Sequence, residues 1–321
     1  GNMHISFKGE NSILKKKGVG TILVLVVLCA FFSIASDKFL TVGNLLNILL
    51  QVSSLIIISM GMTWIIITGG IDLSVGASMG FCGVATAMLI KYCGMSVWLG
   101  FIVCMLLGGF IGLLNGVCVT KIKIPPLLAT IGMDTTIRGL AYLVCGGATI
   151  FGLPESFTAF GRGYIWIFPI PVLIAVMVFL VFWFIQSRTA FSVYTYAIGG
   201  NSNAAHLSGI KNHKHLIELY VTVGLLAGLA AFINASRMGV GLAGAGSTMA
   251  FDVVTAVVLG GTSIAGGSGK VQGTIIGCLI IGVLSNGMTI LNVHSFAQQT
   301  AQGLILLLAI GAETIRHKRE L

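Results

Sequence analysis

The sequence predicts an all-α polytopic membrane protein of about ten transmembrane helices, with both termini in the cytoplasm. Three observations lead there. Of the 321 residues only 8% are charged and 56% are hydrophobic, whereas a soluble domain carries about a quarter charged residues. Such a chain has too few polar side chains to cover a water-facing surface, so lipid is most of its solvent. Apolar runs near the length that crosses a bilayer, about 20 residues, recur along the chain. The basic residues fall between alternate runs, as the positive-inside rule requires.

Residues 1–18 form a tail, in which Gly1-Asn2 ahead of Met3 reads as a cloning remnant. The first apolar run has no leader-cleavage pattern because it continues to spanning length. Spans are expected at 19–36, 48–68, 73–90, 97–119, 126–146, 164–186, 216–236, 251–265, 271–291 and 297–314. The stretch FLTVGNLLNILLQ (39–51) is amphipathic and reads as an interfacial segment between the first two spans. The 73–90 and 251–265 runs are short and flanked by glycines. Residues 19–314 thus make one transmembrane domain, and 315–321 a second tail.

With the N-terminus inside, thirteen basic residues are cytoplasmic: Lys8, Lys15, Lys16, Lys17, Lys121, Lys123, Arg188, Lys211, Lys214, Lys270, Arg316, Lys318 and Arg319. Lys38, Lys91, Arg162 and Arg237 fall in outer loops, and Arg138 inside a span. The net charge of +9 is therefore topological and gives no nucleic-acid patch. The longest outer loop is 147–163 and the longest inner one 187–215. A gapless match sets TGGIDLSVG (68–76) on LGGTSIAGG (259–267), pairing Gly69 with Gly260, Gly70 with Gly261 and Asp72 with Ser263. Gly-interrupted segments in corresponding positions point to a transport route.

Catalytic signatures are scarce. GGSGK (266–270) fails as a phosphate loop, because Ile264 and Val271 stand where that motif needs Gly and Ser or Thr. No cofactor is expected on this chain. Six of the seven cysteines lie in apolar runs, and none shows metal spacing with histidine, so no metal is expected. His206, His213 and His215 read as a solvated loop face.

Polar groups inside spans carry more information. Asp134 and Arg138 are four apart on one helix face, where an ion pair that fixes packing competes with a polar pathway. Asp72 and Asp252 each open an apolar run and read as N-caps, with Gly69-Gly70 stopping the preceding helix. Thr68, Asp72, Ser74, Asn115, Asp134, Arg138, Asn234, Asp252 and Asn286 are the candidates for a translocation path. Interhelical hydrogen bonding is the plainer use of the amides, Gln298 and Gln302 included.

Three blocks now add a likeness. GMTWIIITGGIDLSVG (61–76), YAIGGNSNAAHLSGI (196–210) and AVVLGGTSIAGGSG (256–269) closely resemble the membrane subunits of ribose-type ABC sugar importers, in the same order. The resemblance spans residues 20 to 312. It implies an inner-membrane permease that acts as a homodimer with two ATP-binding subunits, ATP and Mg being held on that partner chain. It also implies a soluble binding protein that delivers a pentose or hexose. In such permeases the second block is the loop that couples to the ATPase, which places Gly199, Gly200, Asn201, Ala204, Ala205, Leu207, Ser208, Gly209 and Ile210 in that role. The local physics fits a short helix there, with Asn201 or Ser202 as cap and Gly209 as stop. A nucleoside or branched-chain amino-acid permease is the alternative within the class. A proton- or ion-coupled carrier using Asp72 and Asp134 is the alternative outside it.

Overall fold

The computed structural model describes the backbone of residues 8–320 and the side chains of 19–315. Most of the two tails expected at 1–18 and 315–321 lies outside those side chains. The described chain is mostly helical: α1 (Lys8–Ala35), α2 (Val42–Ile67), α3 (Val75–Cys93), α4 (Val97–Thr120), α5 (Pro126–Cys145), α6 (Glu155–Arg162), α7 (Ile170–Arg188), α8 (Ala190–Gly200), α9 (Ser202–Leu207), α10 (Asn212–Met238), α11 (Met249–Leu259), α12 (Val271–Ile290) and α13 (Ser295–Glu320). One hairpin, β1 (Tyr164–Ile165) with β2 (Phe168–Pro169), precedes α7. Seven of the described helices, α2, α3, α4, α5, α7, α10 and α12, are long and apolar enough to cross a membrane. Shorter apolar helical stretches cover Val19–Ala35 and Met249–Leu259.

Burial sorts these helices. From Val52 to Ile67 every residue of α2 is buried, as suits a helix that is apolar on all sides and stands at the centre. Helices α4, α5 and α7 instead expose large apolar residues such as Ile102, Leu106, Phe110, Leu143, Met177 and Leu180. Contiguous apolar surface on a multi-pass protein is the face it offers to lipid.

Helices α4 and α10 make the most extensive contact in the bundle. A Cβ at Gly108 would collide with the Gly224 carbonyl, one at Gly112 with the Tyr220 carbonyl, and one at Gly228 with the Cys104 carbonyl. Lipid is as apolar as leucine, so helix association in a bilayer depends on such backbone approach, with small residues at fourth positions. Hydroxyl and amide pairs add to it between α2 and α12. Thr63 and Thr274 hydroxyls are 2.8 Å apart, and the Asn44 and Asn286 amides exchange two 3.0 Å bonds.

Four expectations are corrected. Residues 42–51 are the first turns of α2, capped by Thr41 whose hydroxyl accepts from the Asn44 N–H, and no separate interfacial helix forms. The 164–186 run begins with the β hairpin, so its helix starts only at Ile170. Arg237 belongs to the last turn of α10, where its guanidinium donates to the Leu50 carbonyl at 3.4 Å. The expected 251–265 span is an 11-residue helix, α11, ending at Leu259. Ahead of it, residues 241–246 run along α3, from Gly241 beside Val84 and Ala87 to Gly246 beside Gly76. Non-helical backbone at that depth is tolerated only where protein covers it or water reaches it.

Candidate functional site

The site starts at the end of α2. Thr68 is the C-cap, and Gly69 takes φ +80°, a left-handed conformation that costs glycine least. Its N–H bonds to the Ile66 carbonyl at 2.9 Å, and the Gly70 N–H to the Ile65 carbonyl at 3.0 Å, closing the helix. After α11 the same pair of bonds recurs, Gly261 N–H to Val258 and Thr262 N–H to Val257, with Gly261 at φ +90°. The internal match is therefore real in the backbone, but Gly69 pairs with Gly261, one residue later than the gapless alignment has it.

Asp72 is buried in the first turn, 1% exposed. Its Oδ1 accepts from the Ser74 N–H at 2.9 Å and the Ser74 hydroxyl at 2.7 Å. The Asn115 amide of α4 donates to both carboxylate oxygens at 3.3 Å and to Ser74 Oγ at 2.7 Å. Asp72 is not the N-cap of α3, as expected from the sequence; Ser74 holds that position and makes no side-chain cap bond. The capping acceptor comes from another helix. Asp134 of α5 takes the Ala77 N–H at 3.2 Å while it pairs with Arg138 at 2.9 Å. A carboxylate there satisfies an orphan N–H and complements the helix dipole. So Asp72, Ser74, Asn115, Asp134 and Arg138 gather around one helix start, whereas the Thr68 hydroxyl bonds back to the Ile65 carbonyl of α2.

This cluster sits close to one end of the bundle. Asn115 is five residues before the end of α4, roughly 8 Å at helical rise. The Asn115 Oδ1 and Tyr220 hydroxyl are buried there without a hydrogen-bond partner in the described chain. A Cβ at Gly70 would lie 3.1 Å from that tyrosine oxygen.

The other path candidates lie elsewhere. Asn234 lines a small gap between α10, α3 and residues 240–245. Asp252 is in the first turn of α11, where it accepts from Thr248 at 3.1 Å; Thr248, not Asp252, is the N-cap. Asn286 is spent on Asn44. Sequence reading missed the irregular 241–246 stretch, whose Ala243 and Gly246 carbonyls press on Gly80 and Gly76. The available signal was the run GVGLAGAG (239–246), with four glycines in eight residues.

The 196–210 block joins both turns. Asn201 caps α9 by accepting from the Ala204 N–H at 3.0 Å, and Gly209, at φ +87°, ends it with its N–H on the His206 carbonyl. Ala205 is buried, whereas Leu207 is 88% exposed. Ser208 Oγ bonds back to the Ala204 carbonyl, and the Ile210 N–H to the Ala205 carbonyl. Behind α9, a Cβ on Gly199 would collide with the Ile67 carbonyl, to which the Gly267 N–H donates at 2.8 Å. Gly200 has open space on that side. Tyr196 donates to the Gly269 carbonyl at 2.6 Å and receives the Gln186 amide at 2.8 Å. Burial pushes the Tyr196 phenol above its ordinary pKa, so it remains a donor at neutral pH.

Residues 44–312 match the family model described as the branched-chain amino acid transport system / permease component. The chain belongs to this family of transport permeases. A ribose import permease of Bacillus subtilis is 41% identical over 294 residues, 91% of each chain. The ribose import permease of Escherichia coli K12 is 38% identical over 294 residues, 90% of this chain and 91% of that one. The D-allose transport system permease of the same organism is 32% identical over 301 residues, 93% and 92% respectively. No solved structure matches. Family membership makes the apolar helices those of a multi-pass membrane permease.

Proposed function

We propose that this permease is the membrane-spanning subunit of an ATP-driven importer for a monosaccharide, a pentose or hexose of ribose type, in a bacterial cytoplasmic membrane. It works as a homodimer, receives sugar from a soluble binding protein, and draws energy from two ATP-binding subunits that hold ATP and Mg. The solute follows from the ribose, allose and arabinose permeases among its relatives. Ten crossings, with residues 240–248 and α11 together as one, account for the alternation of helix ends and return both termini to the cytoplasm. Lys121, Lys123, Arg188, Lys211, Lys214 and Lys270 then share the end where α8 and α9 lie, in accord with the positive-inside rule.

The observation that carries the coupling role is the joint at Gly199. A short capped helix, α9, with Leu207 turned outward follows α8 after a single extended residue, Asn201, and α8 rests directly on both Gly-bounded turns. Beside it, a groove of about 330 Å³ lined by Tyr194, Ser208, Gly209, Ile210, Lys211 and His215 receives the ATPase. Closure of the ATPase pair pushes α9, and the push reaches the α2–α3 and α11–α12 turns backbone to backbone. Asp72, Asn115, Asp134 and Arg138 border the path at its inner end.

Leu207→Asp tests this in proteoliposomes holding the complete transporter. ATP-driven uptake of labelled ribose is expected to fall at least tenfold, as a lost interface anchor of about 1.4 kcal/mol or more implies, with the variant as heat-stable as wild type. Unchanged uptake refutes the coupling assignment. The family description favours one other solute class, branched-chain amino acids. A thermal-shift screen of the binding protein against sugars, nucleosides and those amino acids separates the two.

A further inference from the structure

At the end of the bundle opposite α9, a cavity of about 690 Å³ opens between α4, α6 and α7. Its size is that of a small-molecule site, but its lining excludes a polyol. Trp98, Phe101, Phe160, Ile170 and Phe232 stand in its wall, and no charged side chain takes part. Of its two serines, Ser96 already spends its hydroxyl as the N-cap of α4, accepting from the Leu99 N–H at 3.3 Å. Phe101, Phe160 and Phe232 form a pre-arranged aromatic floor with centroids 5.1–5.6 Å apart.

The walls say what fits. Beyond the cavity α4 continues with exposed Ile102, Leu106 and Phe110, and α7 with exposed Val176, Met177 and Leu180. These are the lipid-facing surfaces of the two helices, and the cavity is the cleft between their outer ends. The hairpin next to it carries Tyr164, 58% exposed, and Trp166, 93% exposed. Amphipathic aromatic side chains of that kind sit at headgroup level. The cavity therefore begins where acyl chains begin.

We propose that this cleft, roofed by α6, holds one acyl chain of a membrane phospholipid. The chain fills apolar space that would otherwise separate α4 from α7 and so supports the outer end of both. The proposal depends only on the protein's lying in a bilayer and is independent of the transported solute.

Photolabelling tests it. The purified permease is reconstituted in phosphatidylcholine vesicles doped with a phosphatidylcholine that bears a diazirine in one acyl chain. After irradiation, peptide mass spectrometry is expected to find adducts on Phe101, Phe160 and Ile170 as well as on Leu106 and Leu180. Ala159→Phe, at an exposed position on the roof, is expected to cut the first set several-fold and leave the second unchanged, while Ala159→Ser changes neither. Adducts confined to Leu106 and Leu180, or cleft adducts indifferent to Ala159→Phe, overturn the proposal. Absence of cleft adducts together with protection of the cleft by the soluble binding protein also overturns it and assigns the cleft to protein docking.

Discussion

The two Gly-bounded turns end their helices with the same pair of hydrogen bonds, yet they are held in opposite ways. The α2–α3 turn is fastened by side chains: Asp72 and Ser74 to each other, Asn115 from α4, and Asp134 from α5 on the Ala77 N–H. In the register set by Gly69 and Gly261, the α11–α12 turn has Ile264 where the first has its acid. It is fastened by its backbone, through the Gly267 N–H on the Ile67 carbonyl and the Gly269 carbonyl under Tyr196. A turn bound by buried side chains is anchored to its neighbours. One bound by a few backbone contacts over glycines can shift as a unit. On that contrast the first turn is expected to act as a fixed abutment and the second to move, with α8 lodged between them.

That contrast is open to attack at four places. Gly199→Val strikes the point that both turns share. Its side chain would meet the Ile67 carbonyl, and overpacking of this kind costs about 3 kcal/mol. Uptake is expected to vanish, with the melting temperature in detergent lowered by the largest amount of the four. Gly200→Val at the open neighbouring position should leave the melting temperature where it was. Asp72→Ala comes next, because it strips the acceptor from the Ser74 N–H, the Ser74 hydroxyl and the Asn115 amide. Buried donors left unmade cost about 2–3 kcal/mol. Asp72→Asn keeps a carbonyl oxygen for Ser74 and should recover most of that in the same melting experiment.

Tyr196→Phe touches only the second turn. It leaves the Gly269 carbonyl without its donor, at a cost of about 1 kcal/mol. Sugar carried per ATP hydrolysed is expected to drop although the transporter stays assembled. A wild-type ratio would mean that the second turn does not move with α8. The smallest effect is expected from Asp134→Asn, which keeps an oxygen for the Ala77 N–H and removes the charge from a pair about a quarter exposed. Such a pair is worth less than about 1 kcal/mol. Uptake reduced in Asp134→Asn at an unchanged melting temperature would place the pair on the sugar's route and not merely in the scaffold.

Elements that are set by local chemistry were legible in the sequence. Gly69 reveals itself because few other residues stop a helix in the left-handed region, and Asn201 to Gly209 carry a complete cap-and-stop signal. Asp72 was legible as an acid before a helix, but an aspartate two residues ahead of the cap looks the same in sequence as one at the cap. Asp134 as the true capping acceptor was out of reach, because it lies 57 positions from the N–H it serves. The Asn44–Asn286 pair was hidden by a separation of 242. The hairpin at 164–169 hid because apolar strand residues at a membrane surface look like the start of a span. The glycine run at 239–246 reads as an outer loop; only the fit of its carbonyls on Gly76 and Gly80 carries it inward.

The α4–α10 contact has a mechanical consequence. Where two helices meet through side chains, rotamers can exchange and the helices can slide. Where Gly108, Gly112, Gly224 and Gly228 bring backbone against backbone, there are no rotamers to exchange, and close-packed interiors yield little. The two helices are effectively a single strut running the depth of the membrane. Asn115 and Tyr220 are mounted on that strut, one on each helix, so the polar floor beneath Asp72 keeps its shape and the first turn stays tied to it.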